Sequence, residues 1–125
     1  MKASLTSLHH QSADWQRELG FYQDELVILN KRLEEVTQKN NSKEALALVE
    51  HFQNKFIMLR EQLDVLKHDI GIREKEIEAL ATDRPEHISE KFSSVHDSVQ
   101  ERMKDFSAGM ADTRFEFNKF LAQVL

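Results

Sequence analysis

Cysteine is absent from this chain of 125 residues, and proline and glycine are scarce, with one and three copies. The lack of cysteine excludes thiol catalysis, disulfide bonds and cysteine-based zinc sites. Sheet proteins need turn residues every ~8–12 positions, which so few glycines and prolines do not provide. The composition therefore favours long helices. A reducing cytoplasm is the expected location for a chain without cysteine and without a recognisable secretion signal at its start.

Clusters of basic side chains and long apolar runs are also missing. Lysine and arginine number 17 against 22 aspartates and glutamates, which gives a net charge of −5. Nucleic-acid binding depends on concentrated positive charge, so no nucleic-acid partner is expected. No stretch approaches the ~18 consecutive apolar residues of a membrane-spanning helix, so no membrane span is expected either.

The chain does contain a regular apolar pattern. In three segments the apolar residues recur at alternating steps of three and four, which is the heptad spacing of coiled coils. The pattern predicts helices at about 4–38, 42–81 and 85–124, joined by short links that favour antiparallel neighbours. We therefore predict an all-α fold, an elongated antiparallel three-helix bundle with coiled-coil heptad packing, in which residues 1–125 form a single domain.

Polar residues and one change of spacing interrupt the apolar pattern. Ser12 and Arg73 occupy core positions of the first and second helices, where an apolar residue is usual. In the third helix two steps of four follow each other at Val95, Val99 and Met103. That spacing predicts a stutter, which locally relaxes the supercoil of a coiled coil.

Two polar segments separate the helices. In the first, Asn41 stands three residues before Glu44, a spacing that predicts a capping interaction at the start of the second helix. In the second, Pro85 suits the first turn of a helix, where a missing amide hydrogen costs little. Asp83 with Glu86 predicts a similar cap there.

A second set of apolar residues lies beside the core positions. Met58, Val65 and Ile72 are spaced by seven in the second helix, and Phe21 and Ile28 have the same spacing in the first. All five occupy heptad position c, which normally faces water in a three-helix bundle. We call Phe21 and Ile28 the α1 stripe, and Met58, Val65 and Ile72 the α2 stripe.

The two stripes predict an interface. We expect them to merge into one patch that mediates homodimerisation through helices 1 and 2, or that binds another helical protein. Two alternatives remain open. The helices can be rotated so that position c is buried within one chain, or the exposure of these residues is tolerated.

Histidines are the residues that best suit a catalytic or metal-binding role, and their spacing argues against one. No glutamate precedes a histidine by three residues, as di-metal bundles require, and no His-Glu-x-x-His motif occurs. No glycine-rich phosphate loop is present, and the carboxylates lie outside the core positions. We therefore expect no catalytic residue, no metal and no cofactor.

The sequence thus predicts a non-enzymatic α-helical protein–protein interaction or structural module. The alternative is a small metal- or cofactor-binding bundle that uses His9, His10, His68 or His96. The two hypotheses differ in one requirement: a metal site needs these histidines to lie close together, whereas an interaction module does not.

Overall fold

A computed structural model describes residues 5–83 and 90–125, with side chains for 5–80 and 94–125. Within these residues the chain forms three helices and no strand: α1 at Leu5–Lys39, α2 at Lys43–Asp83 and α3 at Glu90–Val124. The predicted all-α three-helix bundle is confirmed. The predicted start of the third helix at residue 85 lies outside the described residues, as do Glu86 and the side chain of Asp83, which form its predicted cap.

The helices pack along a single apolar seam built from heptad positions a and d. Ser12 and Arg73 are buried within this seam, at the core positions that the heptad pattern assigns to them. At one end Leu8 and Ile77 form a smaller cluster of their own. The main core contains Trp15, Leu19, Leu26, Leu29, Leu33, Val36, Val49, Phe52, Phe56, Leu59, Leu63, Leu66, Ile70, Val99, Met103, Phe106, Met110, Phe117 and Phe120.

Aromatic rings fill the part of the core where the end of α3 meets the first half of α2. The rings of Phe52, Phe56, Phe117 and Phe120 lie with their centroids 5.2–6.2 Å apart. Edge-to-face and offset arrangements at such distances add to the stabilisation from burial alone. This cluster fixes α3 on α2 at that end of the bundle.

Over the described side chains of α3, the predicted stutter at Val95, Val99 and Met103 does not occur. Val95 is 40% exposed, whereas His96 is only 3% exposed and occupies the core position. From His96 through Val99 and Met103 the steps are three and four, so the heptad alternation continues without interruption. The imidazole is accommodated because its ring lies 4.7 Å from that of Trp15 and its Nε2 lies 2.7 Å from Gln11 Oε1.

Ser42, and not Asn41, caps the start of α2. The Ser42 hydroxyl accepts a hydrogen bond from the Ala45 amide at 3.2 Å, and Asn40 Oδ1 accepts one from the Ser42 amide at 3.1 Å. Because α2 begins at Lys43, Ser42 is the residue immediately before the helix, from which a side-chain oxygen reaches the third helical amide. The prediction of a cap at Asn41 is wrong by one residue.

This capping assignment predicts a difference between neighbouring alanine substitutions. Ser42→Ala removes the acceptor for the Ala45 amide, so the free energy of unfolding should fall by about 1 kcal/mol. Asn41→Ala is the matched control and should change it by less than about 0.5 kcal/mol. Urea unfolding followed by circular dichroism measures both changes. Equal losses in the two variants would contradict the assignment.

Candidate functional site

The five side chains of the α1 and α2 stripes are all exposed. Their exposed fractions run from 44% for Ile72 to 70% for Phe21. A rotation of the helices that buries position c within one chain is therefore excluded. Apolar residues that are scattered singly on a surface need no explanation. Whether these five residues mark an interface therefore depends on how they are arranged around the bundle.

The third helix packs on the side of the α1–α2 hairpin that carries both stripes. Heptad position c neighbours position g on a helix surface, and position g of both α1 and α2 contacts α3. On α1, Glu25 forms two hydrogen bonds with Arg114, at 2.5 and 2.6 Å. On α2, Asp69 pairs with Arg102 at 2.9 Å. The opposite side of the hairpin is joined by position e, where Lys67 Nζ donates to Gln23 Oε1.

Because α3 lies between the stripes, the predicted merged patch is not formed. The α1 stripe borders a groove between α1 and α3, and Met58 and Val65 border a second groove between α2 and α3. Ile72 continues the α2 stripe one heptad beyond Val65. The α1–α3 groove has a volume of about 460 Å³ and the α2–α3 groove about 680 Å³.

A network of polar side chains joins α1 to α3 next to the α1–α3 groove. The Tyr22 hydroxyl lies 2.7 Å from Ser107 Oγ and donates to Glu18 at 3.0 Å. Burial raises the pKa of Tyr22 above its ordinary value, so the phenol stays protonated. The paired Glu25 carboxylate raises the pKa of Arg114. These neutral and charged bonds hold the two helices at a fixed separation.

Two carboxylates that border the α2–α3 groove, Asp105 and Asp112, were not singled out in the sequence. Asp105 and Asp112 stand seven residues apart on α3, and Gly109 lies between them. Their spacing was visible as a heptad repeat of carboxylates. Only the tertiary structure shows that the two aspartates lie across the groove from Met58 and Val65.

The histidines do not converge on a common site. His9 and His10 are exposed neighbours with ring centroids 6.0 Å apart, His68 is exposed on α2, and His96 is buried in the core. Among the residues with described side chains, no group of three or more histidines and carboxylates is placed to hold a metal ion. The geometry therefore gives the metal-binding alternative no set of ligands.

His96 belongs instead to a buried polar layer near one end of the core. Its ring packs on Trp15, and Arg73 approaches from α2. The Nδ1 atom of His96 and the hydroxyl of Ser12 are buried without a hydrogen-bond partner in the described structure. Burial is the main cause that lowers the pKa of His96 below its ordinary value of 6.5, and the charge of Arg73 lowers it further, against a small opposing effect of Asp97.

This layer predicts a loss of stability in acid. Below about pH 6.5 the unfolded chain takes up a proton at His96 that the folded chain resists, so the contribution of His96 to stability falls as the pH falls. We expect His96→Gln, which keeps an uncharged donor but does not titrate, to have a smaller decrease between about pH 7 and pH 5. Urea unfolding at several pH values measures both slopes. Equal slopes would assign the acid sensitivity to other groups.

Comparisons with known proteins add no functional assignment. The described helices include none that is long and apolar enough to cross a membrane. No protein-family model matches the chain, and neither a curated protein nor a solved structure shows significant similarity to it. The two grooves and the stripes that border them are the surface features of the described residues that point to a function.

Proposed function

We propose that this chain is a non-enzymatic helical interaction module that self-associates through the α1 stripe. The observation that carries the proposal is the exposure of five apolar side chains, all at heptad position c, beside two grooves with apolar floors. Full burial of each such side chain contributes ~1.5–3 kcal/mol before the costs of association. Contact through the α1 stripe places two such side chains from each copy, Phe21 and Ile28, in one interface.

The charges around the α1–α3 groove favour a second copy of the same chain as the occupant. Asp24 lies four residues before Ile28 and Arg32 four residues after it, so the three share one face of α1. Neither charge has an ion-pair partner among the side chains that the structure describes.

A two-fold axis through Ile28 makes this face complementary to itself. With two antiparallel α1 helices, residue i lies opposite residue 56 − i of the other copy. Asp24 then lies opposite Arg32, and the same pair forms again on the other side of the axis. A two-fold contact thus buries Ile28 against itself and pairs four charges, whereas a parallel contact would bring like charges together.

Self-association is tested by the mass in solution. Light scattering on a size-exclusion column, at two well-separated loading concentrations, should give about twice the chain mass of 14.6 kDa. Ile28→Glu should give the monomer mass with unchanged helicity by circular dichroism, because a buried carboxylate in the contact has no partner. Phe115→Glu is the matched control, since Phe115 is 67% exposed on α3 and borders neither groove.

A charge exchange tests the geometry of the contact. Arg32→Asp should weaken the dimer, because each Asp24 then faces a carboxylate. Adding Asp24→Arg to the same chain should restore it, since the opposite charges are again paired across the axis. The α1 assignment is wrong if Val65→Glu, rather than Ile28→Glu, abolishes the dimer.

A further inference from the structure

The α2–α3 groove has an apolar floor and one exposed apolar wall. Leu59, Leu66 and Phe106 line the groove and are buried or nearly so, while Met58 and Val65 are 56% and 54% exposed. The lining residues run from position 55 to 66 on α2 and from 102 to 116 on α3. At ~1.5 Å per residue the groove is roughly 17–21 Å long, which is the length of three to four helical turns.

Gly109 keeps this groove open on the side of α3. A Cβ atom at this position would lie 3.7 Å from Leu59 Cδ2, which is ordinary van der Waals contact, so the packing of α2 against α3 does not require glycine. Glycine inside a helix is less stable than alanine. Its effect here is to leave the space of one Cβ atom beside Leu59 unfilled at the floor of the groove.

Unpaired carboxylates surround the groove. Glu61, Asp105, Asp112 and Glu116 line it, and none has an ion-pair partner among the side chains that the structure describes. The lining also contains two cations, Lys55 and Arg102, but Arg102 is neutralised by Asp69 at 2.9 Å. The unpaired carboxylates are therefore concentrated on the α3 wall, where Asp105, Asp112 and Glu116 lie, whereas Lys55 and Glu61 balance on the α2 wall.

This distribution of charge disfavours a second copy of the chain in the α2–α3 groove. Two such grooves facing each other would bring the carboxylates of both copies together, and like charges across an interface oppose binding. The chain carries a net charge of −5, and acidic residues outnumber basic ones in each third of its length. The complementary surface is an amphipathic helix with basic residues beside its apolar face.

We propose that the α2–α3 groove binds a basic amphipathic helix from another protein. The inference rests on the proposed function as a helical interaction module and names its second partner. Apolar residues of the bound helix, at spacings of three, four and seven, contact Leu59, Leu66 and Phe106 and are covered by Met58 and Val65. Its lysines or arginines lie against Asp105, Asp112 and Glu116 on the α3 wall.

A designed peptide pair tests the chemistry of the occupant. The probe is a fluorescein-labelled helical peptide of about 15 residues, with leucines on one face and lysines on both flanks. In the matched peptide every lysine is replaced by glutamate. Fluorescence anisotropy against the full chain should show binding of the lysine peptide, at least about tenfold weaker binding of the glutamate peptide, and loss of the lysine-peptide affinity with added salt.

Paired variants locate the binding site. Asp105→Asn with Asp112→Asn should weaken lysine-peptide binding about tenfold and reduce its dependence on salt, because two charge pairs are lost. Glu34→Gln with Glu35→Gln is the matched control, since it removes the same charge from an exposed part of α1. Val65→Gln should also weaken binding, while circular dichroism confirms that each variant keeps its helicity.

The outcomes distinguish this inference from the proposed self-association. Equal binding of the two peptides, or lysine-peptide binding that persists in both Asp105→Asn/Asp112→Asn and Val65→Gln, overturns the groove as a site for a basic helix. A dimer that fails to bind the lysine peptide overturns this inference alone. A monomer that binds it with the expected variant pattern supports the inference and overturns only self-association. Loss of the dimer in Val65→Gln would assign the groove to a second copy and overturn the basic partner.

Discussion

A continuous seam of a and d side chains holds the three helices together, and the placement of every other side chain depends on it. Each helix spans 35–41 residues and presents one such seam to the other two. Once those positions are buried, the heptad geometry determines what remains. Position e joins α1 to α2, position g faces α3, and position c is left beside α3 at the edge of each groove.

The two ends of this seam differ in chemistry. Near one end four phenylalanine rings interlock, whereas Ser12, Arg73 and His96 are buried near the other. A buried polar atom without a partner costs ~1–3 kcal/mol, so this layer is less stable than an apolar one would be. It also disfavours axial shifts, since sliding α3 along α1 would separate His96 from Gln11 and leave the buried imidazole without this hydrogen bond.

The docking of α3 produces two grooves with different electrostatic character. Around the α1–α3 groove the charges of Asp24, Glu25, Arg32 and Arg114 balance, and around the α2–α3 groove carboxylates predominate. Apolar burial supplies attraction without direction, whereas charge selects the partner and its orientation. The two grooves are both bordered by apolar residues at heptad position c, but their different charges suit them to different occupants. Their separation by α3 allows both to be covered at once.

Local spacing was sufficient to predict most of the architecture. The number of helices and the ends of α1 and α2 followed from the apolar period and the polar links, to within two residues. The two wrong predictions, one of a core position and one of a helix cap, each concern two neighbouring residues that both suit the position. Val95 is more apolar than His96, yet His96 keeps the heptad step and finds Trp15 and Gln11 as neighbours. Asn41 and Ser42 are both good caps, and the first helical residue decided between them.

The sequence by itself determined the helices, the seam and the placement of both stripes at heptad position c, because these depend on spacing along one helix. It did not determine the side of the α1–α2 hairpin on which α3 packs. The same heptad pattern is compatible with either side, and short links permit both. Had α3 packed against position e, the two stripes would have formed one patch. Only the tertiary structure placed α3 on the side of position g, which divides the stripes and brings Asp105 and Asp112 opposite Met58 and Val65.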